Sequence, residues 1–144
     1  MTERISPRLA EIVEALPLRS GMRVLEIGCG PGVAARAVFQ RIGKGNVLAI
    51  DRSAKAIALA VAGSAVELTS GRLEFRCVAV EDFVLSQGER PYDLAFAVRV
   101  GTLDGRYPKA GRIALERLRQ ALGKDGRLFI DCGNPLKEVP LGGA

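Results

Sequence analysis

The stretch VLEIGCGPGVAARA, Val24 to Ala37, decides how this chain is read. Val24, Leu25 and Ile27 surround Glu26, and three glycines, Gly28, Gly30 and Gly32, then fall within five positions. Periodicity alone leaves RVLEI, Arg23 to Ile27, open to strand or helix. The glycines that follow favour a strand. From Val33 to Ile42, the spacing of Ala35, Val38, Phe39 and Ile42 gives the apolar face of a helix, closed by Gly43. The unit is therefore strand, glycine-rich turn, helix. Glycine at such a turn admits backbone angles that other residues avoid and removes side chains that would hold a ligand away. The N–H groups at the helix start are then expected to donate to that ligand.

Working outward, the pattern repeats. Before the turn, Ser6 and Pro7 open a helix with Leu9, Ile12, Val13 and Leu16 on one face, and Pro17 stops it. After it, NVLAID, Asn46 to Asp51, reads as a second buried strand. Ser53 caps an alanine-rich helix running to about Thr69 with an irregularity at Gly63. LEFRCVAV, Leu73 to Val80, is the third strand and YDLAFAV, Tyr92 to Val98, the fourth, with Glu81 to Pro91 as the loop between them. A loop from Arg99 to Lys109 leads to a helix with Gly111, Leu115, Leu118 and Leu122 on one side and Arg112, Glu116 and Arg119 on the other. The arginines of this helix read as its solvent face. Gly123 to Gly126 turn into a fifth strand, RLFIDC, Arg127 to Cys132. Strands alternating with helices imply a parallel sheet covered on both faces. The expected fold is a doubly wound α/β sandwich, with residues 1–144 as a single domain and 133–144 as an irregular tail.

Composition narrows the function classes. Hydrophobic residues make up 48% of the 144 and charged residues 26%, which suits a globular domain. No apolar run approaches the roughly 18 residues of a membrane span. The first residues carry Glu3, Glu11 and Glu14 among apolar positions, unlike a secretion signal, so a cytoplasmic location is expected. Cys29, Cys77 and Cys132 are far apart and there is no histidine, which argues against a disulfide framework or a zinc site. Cys29 reads as a small residue lining the turn, and Cys77 and Cys132 as core. The net charge of +5 permits an anionic partner, but scattered basic residues and few aromatics disfavour nucleic acid.

Spacing bears on the ligand. A dinucleotide fingerprint reads G-x-G-x-x-G, whereas Gly28-Cys29-Gly30-Pro31-Gly32 follows an acid, Glu26, that would repel a diphosphate. A positively charged ligand group would be welcomed instead. E-x-G-C-G-P-G resembles the first motif of the class I S-adenosylmethionine-dependent methyltransferases, and the resemblance extends over roughly Ile5 to Cys132. It implies S-adenosylmethionine as cofactor, with Glu26, Gly28, Cys29, Gly30 and Gly32 around it. Asp51, 23 residues beyond Gly28, matches the acid that this family sets on the ribose hydroxyls. Arg52 would lie along the adenine. The segment Ala79 to Phe83 is similar to the family's D-A-E-D-L segment at the adenine edge, but Ala79 stands where an acid is usual. Recognition there falls to the backbone of Val80 and Glu81, or to Asp82. YDLAFAV followed by Arg99 is similar to the fourth-strand motif, which adds Arg99 to the cofactor residues, and LRQALGKDGRLFI is similar to the turn before strand five.

The reaction implied is methyl transfer to an acceptor, taken to be a small molecule. Two rival readings stand: an S-adenosylmethionine-binding module without catalysis, and a nicotinamide-dependent oxidoreductase, which Glu26 and the Gly32 spacing oppose. No catalytic residue is identifiable. Glu81, Asp82, Asp104 and Tyr107 are the nearby candidates for a base, and a sulfonium is so good a leaving group that positioning can supply much of the rate. Arg99 and Arg106 can hold a carboxylate or phosphate on the acceptor, with Asp104 in the same loop. The family has two further strands, the last antiparallel, and these are expected to be missing here. With sheet order 3-2-1-4-5, the fifth strand is then an open edge, to be paired by a second copy, by a partner protein, or by the folded-back tail.

Overall fold

Strand by strand, the chain builds one sheet, described here for residues 4–141 of a computed structural model. The strands are β1 Arg23–Ile27, β2 Asn46–Asp51, β3 Leu73–Cys77, β4 Tyr92–Ala97, β5 Leu122–Ile130 and β6 Lys137–Val139. The helices are α1 Pro7–Ala15, α2 Val33–Phe39, α3 Ala54–Gly63, α4 Ala65–Leu68 and α5 Pro108–Ala121. Sheet order is β3-β2-β1-β4-β5-β6, parallel except for β6. This is the Rossmann-like methyltransferase arrangement.

Alternation along β1 divides the core. Val24 joins Val47, Leu94 and Phe96 on the face covered by α1 and α2, and Leu25 and Ile27 join Leu48, Ile50 and Ala95 on the face covered by α5. Because both faces are buried there, the inner strands β1, β2 and β4 are near-continuous apolar runs. The chain reverses direction across the sheet between β1 and β4, so a cleft opens outside their carboxyl ends.

Several boundaries differ from the sequence reading. The alanine-rich helix breaks at Ser64 into α3 and α4, beside the irregularity expected at Gly63. The third strand leaves the sheet at Cys77, and Val80–Asp82 form a single 3-10 turn. Tyr92 pairs with Leu122 and Leu94 with Arg127, so Gly123 to Gly126 form an excursion within β5. On α5 the fully buried residues are Ala114, Leu118 and Ala121.

Residues 133–144 are not simply an irregular tail. Leu128 pairs with Val139 and Ile130 with Lys137, which makes β6 an antiparallel sixth strand and covers the edge of β5. The edge expected to recruit a partner is thus closed by the chain itself, and only one of the two further strands lacks a counterpart among the described residues. Cys77 and Cys132 are exposed rather than core, because each lies at or just beyond the end of its strand. Among the described residues, no helix is long and apolar enough to cross a membrane.

Candidate functional site

The central strand delivers Glu26 to the floor of the cleft. Its carboxylate is 2% exposed, and Oε1 has no hydrogen-bond partner. Burial, with the nearby charge of Asp51, pushes the pKa up to about 8, against a smaller opposing effect of Arg36. A buried carboxyl without a partner is costly, so its presence here points to a cationic or hydrogen-bond-donating ligand group.

The glycine turn is shaped as expected but is wired differently. Gly28, Gly30 and Gly32 all have positive φ, at 71°, 52° and 85°. A Cβ on Gly30 would meet nothing within 4 Å, so this position opens onto free space, whereas one on Gly28 would strike Val100 at 2.7 Å. The turn's own N–H groups are not free for a ligand. Those of Gly28 and Cys29 donate to the Ile50 carbonyl, that of Gly32 to the Cys29 carbonyl, and that of Gly30 to Oδ2 of Asp51 at 2.9 Å. The turn contributes space and shape, and its donors hold it against β2. Cys29 is buried, and burial together with the charges of Glu26 and Asp51 drives its thiol upward, away from a nucleophilic thiolate.

Two cavities meet over the turn. The first, about 470 Å³, is lined by Gly28, Asp51, Arg52, Val80, Glu81 and Arg99, together with Thr102 and Tyr107. The second, about 410 Å³, includes Glu26, Gly28, Cys29, Gly30 and Arg99, and adds Arg4, Arg8 and Asp131. Gly28 and Arg99 belong to both. Asp51 also accepts from the Ser53 N–H through Oδ1 at 2.9 Å, which leaves further lone pairs on each oxygen.

Other expected residues lie apart. Asp82 lines neither cavity, and its N–H donates to the Ala79 carbonyl. Asp104 and Arg106 also lie outside the two cavities and pair with each other at 2.8 Å. Of the proposed bases, only Glu81 and Tyr107 reach the first cavity and none reaches the second.

Arg36 is a site residue that no local sequence pattern marks. This α2 residue is 9% exposed, and its Nη1 donates to the Pro31 carbonyl at 3.0 Å and to Oγ of the fully buried Ser64 at 2.9 Å. It braces the turn from beneath. A Cβ on Gly32 or on Gly63 would lie 3.0 Å from Nη1, so both glycines make room for it. Arg117, expected on the solvent face of its helix, instead donates from Nε to the Glu81 carbonyl at 3.0 Å and ties α5 to the 3-10 turn.

The family model described as "Methyltransferase domain" matches residues 24–126. The chain belongs to the methyltransferase-domain family. A protein-L-isoaspartate O-methyltransferase of Methylorubrum populi is 36% identical over 127 residues, covering 88% of this chain and 52% of that protein. An S-adenosylmethionine-dependent methyltransferase from Thiobacillus denitrificans, solved with S-adenosyl-L-homocysteine, superposes with a TM-score of 0.68 at 22% identity, over 90% of this chain and 50% of that one. A complex of the Haloferax volcanii Trm112 methyltransferase activator with a methyltransferase gives 0.69 at 19% identity, over 85% and 50%. At these identities the two structures attest the fold. The chain spans about half the length of these relatives. The cofactor of the family is S-adenosylmethionine, and the lone Oε1 of Glu26 beside the open space at Gly30 fits it.

Proposed function

We propose that the domain binds S-adenosylmethionine along the cleft and transfers its methyl group to a small-molecule acceptor. The observation that carries this reading is Glu26, a buried carboxyl with a free oxygen in the lining of the second cavity. It would accept hydrogen bonds from the cofactor's ammonium and ionise as it does so. Asp51 would accept from the ribose hydroxyls, Arg52 would lie along the adenine, and the backbone of Val80 and Glu81 would meet its edge. Gly28, Cys29 and Gly30 would border the cofactor where the two cavities meet, and Gly32, which lines neither cavity, would act through the shape of the turn.

When bound, the cofactor supplies a methyl group on a sulfonium, which needs no protein nucleophile. The chain's part is to orient the reactants and exclude water. A second cavity of about 410 Å³ suits a small acceptor. The relative named as an O-methyltransferase favours oxygen as the accepting atom.

The test is formation of S-adenosylhomocysteine, followed by mass spectrometry across a panel of oxygen-bearing metabolites. Turnover that appears only with an acceptor supports the enzyme. Tight cofactor binding without turnover across the panel supports the binding module, and binding of NAD in place of S-adenosylmethionine overturns both.

A further inference from the structure

Three guanidiniums border the second cavity: Arg4 just before α1, Arg8 in its first turn, and Arg99 just after β4. Among the described residues, ion pairs engage Arg76, Arg106, Arg119 and Arg127, but none of these three. What sets these three apart is their place: all border one concave site, and no carboxylate pairs with their side chains there.

Asp131, just past β5, organises two of them. Its Oδ1 accepts the backbone N–H of Arg99 at 3.1 Å, and its backbone carbonyl accepts Nη2 of Arg8 at 3.4 Å. Arg99 has φ of 59°, the sole non-glycine residue with positive φ among those described, and it stands where the two cavities join. Backbone held in this sparsely populated region is a feature that clusters at functional sites.

Charge then limits what the cavity can receive. The acids bordering it are Glu26, which burial keeps protonated at neutral pH, and Asp131. The cofactor's ammonium would be answered by Glu26 and its single carboxylate by one guanidinium. Its sulfonium adds positive charge, so a surplus of positive charge remains at the side from which an acceptor must enter. A concave site of one sign concentrates ligands of the other, and a guanidinium fork matches carboxylate or phosphate geometry.

We propose that this rim selects an acceptor bearing a carboxylate or phosphate group, with Arg4 and Arg8 as specificity-determining residues and Asp131 holding Arg8 and Arg99 in place. The inference rests on the methyl-transfer reading above.

Its test uses the full chain saturated with S-adenosylhomocysteine, whose affinity is measured first. Malonate, inorganic phosphate and the neutral malonamide are then titrated, with the Nε–H signals of the arginines followed by NMR. Malonate or phosphate should shift the Arg8 and Arg99 signals while malonamide does not, and the tighter of the two anions identifies the group recognised. Arg8→Gln and Arg4→Gln should each weaken anion binding about tenfold and leave S-adenosylhomocysteine affinity within about twofold, with Arg119→Gln as an unaffected control. Equal binding of malonamide, or anion affinity unchanged in both variants, overturns the proposal alone. An equal loss of S-adenosylhomocysteine affinity also overturns it, by assigning the arginines to the cofactor. Failure of the wild-type chain to bind S-adenosylhomocysteine brings down both readings.

Discussion

The N–H of Gly30 donates to Oδ2 of Asp51 at 2.9 Å, so the acid at the end of β2 holds the glycine turn at the end of β1. Asp51 therefore has two tasks, and substitution affects both. Asp51→Ala should weaken S-adenosylmethionine binding by about 1.5–3 kcal/mol through lost charge-assisted bonds to the ribose. It should also cost about 1 kcal/mol of stability, since the amides of Gly30 and Ser53 lose their acceptor. Calorimetric titration and urea unfolding measure the two separately, and unchanged affinity in a folded variant removes the ribose assignment.

Glu26 sets stability against binding. Its carboxyl holds a proton up to about pH 8 in the folded chain, compared with 4.5 for an unperturbed glutamate. Between these values the native state binds more protons than the unfolded one, so stability falls as pH rises. The contribution is complete below 4.5 and lost once pH passes about 8. Glu26→Gln should flatten this part of the urea-unfolding profile between pH 5 and pH 8. The same substitution should weaken S-adenosylmethionine at least tenfold. In the wild type, binding at pH 6 to 7 should release a proton, detectable by calorimetry in buffers of different ionisation enthalpy.

Arg36 supports the turn at a distance from any ligand. Arg36→Met should lower stability by about 2–3 kcal/mol, because Oγ of Ser64 and the Pro31 carbonyl lose a shared charged donor in a buried setting. Removing its charge also takes away the one influence that lowers the Glu26 pKa, so the onset of cofactor binding should move to higher pH. A pH series of affinities on this variant tests the second effect, which simple loosening of the fold would not produce.

Acid stability should depend on a different cluster. Burial alone would raise Glu89, but bonds from Arg76, Tyr92 and the Ser86 N–H outweigh it and hold the carboxyl at about 2. Its folded pKa lies below the unfolded value, so its contribution is present above 4.5 and lost as pH falls through about 2. Glu89→Gln should cost about 1–2 kcal/mol at pH 7 and much less at pH 2, where the native carboxyl is already half protonated, measured by denaturant unfolding at both.

Much of this molecule is readable before folding because its signals are local. Apolar runs mark the strands of a sheet buried on both faces, and Glu26 and Asp51 interrupt or end such runs, where a charge is conspicuous. Arg36 is the opposite case: it occupies an apolar helix face, and the glycines that admit it lie four positions before and 27 positions after it. Only tertiary packing brings these together. Asp131 directly follows the apolar pattern of a strand that ends one residue earlier, and Cys77 and Cys132 close apolar runs yet lie exposed at strand ends. The sixth strand, Lys137–Val139, is three residues with two charges, too short to carry a period.

The brace beneath the turn also constrains how this sequence can change over time. Gly32, Arg36, Gly63 and Ser64 meet at a single guanidinium. An alanine at either glycine crowds that group, and loss of the arginine leaves the serine buried without its donor. Such positions are expected to drift together or not at all, so descendants of this chain should inherit the four as one character, with replacement of Arg36 by an apolar residue accompanied by release of Gly63 and Ser64 to ordinary helix-forming residues.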